Sequence, residues 1–110
     1  MALRAPPRWT PQIVAFVDRV ESAWQSSGRE LRREDVTSWY RDPHTNARVG
    51  GMAGSQHQWG LALDVLPNKR GRAFAAAAGA AGLIVINEGD HFHLQRFAGG
   101  TCGAFCGPRP

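Results

Sequence analysis

The 110-residue sequence has little cysteine, since Cys102 and Cys106 are the two that it contains. Two cysteines cannot build the disulfide framework of a small secreted scaffold, so a hydrophobic core has to stabilise the fold. Long apolar runs are also lacking, because the longest extends from Ala73 to Ala81 and is too short and too small-sided to span a bilayer. Residues 1–10 show no apolar segment of the kind that a signal peptide requires, so we expect none in this chain.

Lysine is nearly absent, and twelve of the thirteen basic residues are arginine. Against nine acidic residues, they leave a net charge of +4, which suits nucleic acid, an anionic membrane surface or an acidic cell-wall polymer as partner. The sequence has neither a basic aromatic sheet motif nor a recognition-helix pattern, so we do not expect nucleic-acid binding. A content of 43% hydrophobic and 20% charged residues is typical of a globular protein, and the length suits one domain.

Periodicity and turn residues predict the order helix, strand, loop, strand, helix, strand, strand. Thr10 followed by Pro11 marks the start of the first helix, which ends at Ser26–Gly28, and the second helix spans Arg70–Ala81. The predicted strands are Val36–Tyr40, Gly60–Leu66, Leu83–Asn87 and Asp90–Phe97. Asp42–Ser55 is predicted to be a long loop that could include one helical turn, and a loop of this length is usually functional.

This order of elements favours an α+β domain with a small, mainly antiparallel sheet packed by helices. We expect the domain to occupy residues 10–98, after a flexible leader at residues 1–9 and before a Gly-, Cys- and Pro-containing tail at residues 99–110. No further metal ligands lie near Cys102 and Cys106, so the tail should contain either a disulfide or two free thiols.

Three of the four histidines lie in two compact groups that also contain carboxylates. The first group, Ser55–Asp64, contains His57 and Asp64, and the second, Glu88–His93, contains two histidines and two carboxylates. Histidine nitrogen and carboxylate oxygen are the ligands of catalytic zinc, which takes three protein ligands and leaves one position open. The two histidines of the second group share one face of a predicted strand, because side chains repeat every second residue. With a carboxylate from another strand, they can close a pocket around a metal.

Three ordered blocks between Val36 and Gln95 carry a more specific signal. The pattern SxHxxGxAxD, from Ser55 to Asp64, matches at every fixed position the signature of the zinc D-alanyl-D-alanine carboxypeptidase family. The upstream run Ser38–Gly51 resembles that family's substrate-binding segment, and Asp90–Gln95 resembles its closing Asp/Glu-x-x-His motif. The chain therefore resembles this family over more than half of its length.

The resemblance implies a small α+β domain, shared with the hedgehog signalling domain, that holds one Zn²⁺. By this resemblance the metal ligands would be His57, Asp64 and a histidine of the last motif. Family members cut bonds involving D-amino acids in peptidoglycan stem peptides, either as D,D-carboxypeptidases and dipeptidases or as L-alanyl-D-glutamate endopeptidases, some of them phage endolysins. An anionic peptidoglycan or teichoic-acid surface would then explain the positive charge. We expect such an enzyme to act on the cell wall, in the periplasm, outside the cell or after release by a phage.

The last motif admits two registers. In one, Asp90 is the general base and His93 the third ligand, with His91 in a supporting role; in the other, Glu88 is the base and His91 the ligand. We favour the first register because apolar Phe92 then precedes the ligand, as is usual in the family. In the second register a glycine would also break the strand between the base and the ligand.

The resemblance further implies that the base takes a proton from the attacking water and gives it to the leaving amine. Arg41 is the candidate cation for substrate binding and for stabilising the oxyanion, because a guanidinium presents a fixed fork to oxygen atoms. Its alternative role is structural, capping the loop through Asp42. Ser55 is either a substrate contact or a turn-stabilising hydroxyl.

Two further classes of function remain open at this point. A catalytically inert metal- and cell-wall-binding module could use the same fold, as the hedgehog relatives show. Nucleic-acid binding is supported by the charge alone. We favour the enzyme because every metal and base position is filled by a chemically competent residue.

Overall fold

The structure is a computed structural model that describes residues 3–110, in which three α-helices and four β-strands occur. The helices are α1 (Pro11–Ser26), α2 (Pro43–Arg48) and α3 (Lys69–Ala80), and the strands are β1 (Val36–Ser38), β2 (Ala62–Val65), β3 (Ile84–Asn87) and β4 (Phe92–Gln95). Short 3₁₀ turns lie at Arg33–Asp35, Gln56–Trp59 and Gly103–Cys106. The predicted α+β class is confirmed.

Two of the helices begin with the same local chemistry, an oxygen-bearing side chain followed by proline. The Thr10 hydroxyl accepts a hydrogen bond from the Ile13 N–H at the start of α1, as its sequence predicts. The Asp42 carboxylate accepts from the Thr45 N–H in the same way, so the segment predicted to be mainly loop contains the six-residue helix α2. Proline at the first helical position supports both starts.

The four strands form one antiparallel sheet in the order β1-β2-β4-β3. The strands are shorter than their predicted ranges, and β4 differs most because it lacks two predicted residues at each end. The change that affects the site lies before β4. There the Glu88 N–H donates to the His91 carbonyl, and Gly89 adopts a left-handed φ of +91°. Residues 88–91 therefore form the turn between β3 and β4. His91 precedes the strand, but its Nε2 still lies 3.9 Å from Asp64 Oδ1, the oxygen that His93 also contacts.

The two faces of the sheet have different roles. One face packs against α1 and α3 through fully or nearly fully buried apolar side chains, among them Leu63, Val65, Leu94, Ile13, Phe16 and Phe74. Because side chains alternate along a strand, the intervening polar positions of β2 and β4 point to the opposite face. Hydrophobic burial against the helices thus leaves that face available for a site. Within residues 3–110, no helix is both long and apolar enough to cross a membrane.

The described ends of the chain pack against this domain. Near the start, Arg4 forms an ion pair with Asp42, and the Trp9 ring meets Trp39 edge to face. Near the end, Cys102 and Cys106 form a disulfide across the last 3₁₀ turn, which selects one of the two states expected for them. Thr101 also forms a β-bridge with Ser55. The tail is therefore attached to the segment that contains His57.

A buried carboxylate, Asp35, connects the start of β1 to the start of α3. Its oxygens accept hydrogen bonds from Arg70 Nε at 2.8 Å and Nη2 at 2.7 Å, from Asn68 at 2.9 Å and from the Arg32 backbone. The hydrogen bonds from Arg70, together with those from Arg32 and Asn68, hold the pKa of Asp35 well below its usual range, although burial acts in the opposite direction. The folded state therefore favours the ionised form of Asp35.

We predict that Asp35→Asn lowers the free energy of unfolding by about 2–4 kcal/mol at pH 7, because Arg70 loses its buried partner. The folded pKa is depressed, so this stabilisation is present above the unfolded pKa of about 3.9 and is lost as the pH falls through the folded pKa. Urea unfolding followed by tryptophan fluorescence at pH 7 and from pH 4 to 2 measures both effects. Glu34→Gln, at an exposed neighbouring carboxylate, is the control. A difference from the parent that did not shrink below pH 4 would contradict the assignment.

Candidate metal centre

One row of residues crosses the sheet on the face opposite α1 and α3. Asp64 in β2 lies opposite His93 in β4 and Ser38 in β1, and His93 lies opposite Ile86 in β3. Residues directly opposite each other in antiparallel strands place their side chains on the same face, with Cβ atoms about 5 Å apart. The strand register alone therefore brings Asp64 and His93 together.

The third member, His57, reaches the same place from the 3₁₀ turn Gln56–Trp59, which precedes β2. The Ser55 hydroxyl caps this turn by accepting from the His57 N–H at 3.3 Å. Gly60 ends the turn with a left-handed φ of +72°, and an added Cβ would lie 3.1 Å from Ile13. Glycine at position 60 therefore allows the chain to turn tightly into β2 and to pack on α1, which directs His57 over the sheet.

The three side chains converge on one point. His57 Nε2 lies 3.1 Å from Asp64 Oδ1, His93 Nδ1 lies 3.0 Å from the same oxygen, and these three atoms all lie within 4.8 Å of one another. All three residues are at most 9% exposed. Two imidazole nitrogens and one carboxylate oxygen form a common three-ligand set for a metal with one open position. We refer to His57, Asp64 and His93 as the triad.

The hydrogen bonding of His57 supports a cation at the triad. Its Nδ1 lies 2.6 Å from the Trp39 carbonyl oxygen, which can only accept, so Nδ1 carries a hydrogen. In the neutral ring, Nε2 is then an acceptor that faces the acceptor Asp64 Oδ1. Two acceptor atoms at this distance repel each other unless a proton or a metal ion lies between them. The donor set and its orientation therefore fit a bound metal.

Asp64 is held ionised by its surroundings. Burial acts to raise its pKa, but the close contacts of its Oδ1 with the imidazoles of His57 and His93 outweigh burial and bring the pKa of Asp64 well below its ordinary value. Burial likewise acts to lower the pKa of His93, and the hydrogen bonds to Asp64 and Gln95 produce a net increase. An ionised carboxylate is the form that binds a cation.

Arg41 lies beside the triad with most of its donors already bound. Its Nη2 donates to Asp64 Oδ2 at 2.9 Å, its Nε donates to Ser38 Oγ at 3.0 Å, and Nη1 is 3.5 Å from Asn46 Oδ1. Binding at Oδ2 leaves Oδ1 of the same carboxylate to face the histidines. The alternative role as a cap through Asp42 is not the one seen, because the Asp42 carboxylate caps α2 and pairs with Arg4.

The triad lies at the base of an open cleft with two compartments. A cavity of about 340 Å³ is lined by Ser55, Glu88 and the triad residues, among others. A second cavity of about 270 Å³ lies toward β1 and is lined by Trp39 and Tyr40 among others. Arg41, Val49, Asp64 and His91 line both cavities, so the compartments adjoin at Asp64.

The two candidate bases occupy different environments. Glu88 lines the larger cavity, and its carboxylate oxygens lie 3.9 Å from His91 Nε2 and 3.9 Å from His93 Nδ1. The Asp90 side chain is 89% exposed, with Oδ1 2.6 Å from His91 Nδ1, and it does not line either cavity. Glu88, the base of one predicted register, therefore lies near His93, the ligand of the other.

One residue next to the triad, Gln95, was not among the site residues predicted from the sequence. Gln95 is 3% exposed, and its Oε1 lies 2.8 Å from His93 Nε2. A signal for it was present, because Gln95 follows His93 by two residues in a strand and therefore shares its face. The carbonyl of Trp39 that orients His57 had no such signal, since any residue carries a carbonyl.

A comparison with protein families adds independent support for this site. The family model described as Peptidase M15 matches residues 4–95, which include the triad, Arg41, Ser55 and both candidate bases. No curated protein matches the chain. The match covers most of the chain, and it contains the one cluster of potential metal ligands found within residues 3–110. The chain belongs to the peptidase M15 family and is a metallopeptidase.

Proposed function

We propose that this chain is a zinc-dependent peptidase that hydrolyses a bond involving a D-amino acid in the stem peptide of peptidoglycan. The observation that carries the proposal is the convergence of His57 Nε2, Asp64 Oδ1 and His93 Nδ1 at the base of a cleft that also presents a carboxylate and a guanidinium. The SxHxxGxAxD pattern supports the substrate class. The net charge of +4 suits an anionic cell wall, and the Cys102–Cys106 disulfide suits a place of action outside the reducing cytoplasm.

Zinc is the ion that we propose for the triad. His57, Asp64 and His93 supply the three nitrogen and oxygen ligands of a catalytic zinc site and leave one position open toward the cleft. Zinc bound there would act as a Lewis acid and would lower the pKa of a water molecule to roughly 7.

Glu88 is the general base in this proposal. Its carboxylate lines the cleft, 3.9 Å from Nδ1 of His93 in the triad and 3.9 Å from Nε2 of the neighbouring His91. It can take a proton from water and pass it to the leaving amine. Asp90 is a poorer candidate because its carboxylate reaches His91 Nδ1 from the solvent side. We assign Asp90 the role of orienting His91 by accepting from its Nδ1. Nε2 of His91 lines the cleft near Asp64, and it can donate to an oxygen that gains negative charge when both ring nitrogens carry a hydrogen.

Arg41 and Ser55 are the proposed substrate contacts. Arg41 Nη1 keeps donor capacity because its partner Asn46 is 3.5 Å away, whereas Nε and Nη2 are held by Ser38 and Asp64. A peptide carboxylate or carbonyl oxygen in the cleft can accept from this nitrogen. The Ser55 hydroxyl oxygen accepts from the His57 N–H, which leaves its own hydrogen for the substrate.

The shape of the cleft favours an endopeptidase over a D,D-carboxypeptidase. The two cavities share Arg41, Val49, Asp64 and His91 in their lining, so a peptide that occupied both cavities would have residues before and after a scissile bond near Asp64. A carboxypeptidase needs space on one side and a block on the other. We therefore propose cleavage within the stem peptide, as in an L-alanyl-D-glutamate endopeptidase of the kind that phage endolysins use.

We predict that His57→Ala, Asp64→Asn and His93→Ala each weaken zinc binding by at least about 100-fold. This loss exceeds the effect of removing a residue that only hydrogen-bonds to a metal ligand, which is about 10- to 100-fold. Competition against a chromophoric chelator measures the affinity. His44→Ala is the matched control, because His44 is exposed and lies outside the triad. Equal affinities for the parent and the three variants would overturn the assignment of the ligands.

We predict that the protein releases peptide fragments from purified peptidoglycan, that a chelator abolishes the release and that added zinc restores it. Mass spectrometry of the products identifies the bond, since an endopeptidase leaves a fragment cut within the stem and a carboxypeptidase releases single D-alanine. Loss of D-alanine alone would contradict the endopeptidase. Zinc binding without any cleavage would favour the inert metal- and wall-binding module.

We predict that Glu88→Gln lowers kcat by about 100- to 10,000-fold, the usual contribution of a general base. Asp90→Asn should lower kcat by about 10-fold or less, because it removes only the hydrogen-bond partner of His91. Both variants should bind zinc as the parent does, so metal affinity and muropeptide turnover are measured on the same samples. The reverse order of the two effects would assign the base to Asp90.

A further inference from the structure

Two buried glutamines accompany the two histidines of the triad. Gln56 directly precedes His57, and Gln95 follows His93 by two residues. Gln56 is 0% and Gln95 3% exposed, and the Nε2 atoms of both donate to the carbonyl oxygen of Phe97 at 2.7 Å. The two ligand-bearing segments are therefore linked through one backbone carbonyl.

The orientation of the Gln95 amide is determined by its neighbours. Its Nε2 donates to the carbonyl oxygens of Phe97 and Gly99, and these oxygens can only accept. A flipped amide would place Oε1 against both carbonyls, with no hydrogen between them. Gln95 Oε1 must therefore point the other way, toward His93 Nε2 at 2.8 Å.

This orientation determines which nitrogen of His93 is available. Gln95 Oε1 can only accept, so His93 Nε2 has to carry a hydrogen, and Nδ1 is the ring nitrogen that faces the triad. We propose that Gln95 is a positioning residue that selects Nδ1 of His93 as the metal-binding atom and holds the ring in place. This inference rests on the proposed metal site.

A glutamine suits this position better than the carboxylate that often partners a ligand histidine. A carboxylate could accept from His93 Nε2 but has no hydrogens for the carbonyls of Phe97 and Gly99. The amide satisfies all three partners at once and adds no charge beside Asp64. Partners of this kind usually change metal affinity by about 10- to 100-fold when they are removed.

Gln56 offers a matched comparison. Its Nε2 donates to the Phe97 carbonyl at 2.7 Å and its Oε1 accepts from the Phe97 N–H at 3.0 Å, so it holds the segment on which Gln95 depends. The Gln56 side chain makes no hydrogen bond to His93. Replacing either glutamine by methionine removes buried hydrogen bonds to Phe97, but only the change at Gln95 removes the acceptor for the imidazole.

The test uses ¹H–¹⁵N NMR of the histidine rings together with zinc competition. In the parent protein, His93 Nε2 should carry a slowly exchanging hydrogen both with and without zinc, and Nδ1 should be the coordinating nitrogen in the zinc form. Gln95→Met should abolish the slow exchange and weaken zinc binding by about 10- to 100-fold. Gln56→Met should lower the melting temperature, keep the His93 Nε2 hydrogen, and weaken zinc binding less than Gln95→Met does.

Two outcomes would overturn the inference. One is a parent protein in which His93 Nε2 lacks a hydrogen or coordinates zinc, and this measurement needs no variant to fold. The other is an equal loss of zinc affinity in Gln95→Met and Gln56→Met, which would mean that the effect arises from the Phe97 segment. A parent protein that binds no zinc would refute the proposed metal site. The role of Gln95 is tested separately, because the hydrogen on His93 Nε2 can be observed by NMR in the metal-free protein.

Discussion

The carboxylate of Asp64 is the group on which the rest of the site depends. A buried negative charge is costly unless it is paired and hydrogen-bonded, and Asp64 has a partner on each side. One oxygen faces His57 and His93, and the other accepts from Arg41. The β2–β4 register, the 3₁₀ turn before β2 and the segment after β1 each deliver one of these partners. Loss of any of them would leave the same charge poorly compensated.

Because side chains alternate along a β-strand, neighbouring residues of β2 and β4 belong either to the hydrophobic core or to the metal site. Leu63 and Val65 are buried against the helices, while Asp64 between them belongs to the metal site. His93 likewise stands next to the core residue Leu94. A shift of either strand by one residue would exchange these roles and place charge in the core. The hydrophobic core therefore enforces the register that the metal site needs.

Local chemistry explains what could be predicted from the sequence. The cap and proline at Thr10–Pro11 predict the start of α1. The segment from His57 to Asp64 contains a turn, a glycine and a strand, so it predicts that these two ligands lie close together. The choice between Glu88 and Asp90 could not be made in this way, because residues 88–91 form a turn and not an extension of β4. In a turn, counting three residues back from a histidine does not show which carboxylate enters the cleft. The pairing of Arg41 with Asp64 depends on the packing of distant segments, which spacing along the chain does not reveal.

The Cys102–Cys106 disulfide lies in a part of the chain that the family match does not include. The same tail contributes Gly100 to the wall of the cleft and Thr101 to a bridge with Ser55. One border of the substrate cleft is thus built outside the region that the family shares, while the metal ligands lie inside it. The tail also supports the metal ligands, because Thr101 pairs with Ser55 beside His57 and the Gly99 carbonyl holds the amide of Gln95 beside His93. A change in the tail would therefore alter the wall of the cleft and the positions of the ligands together.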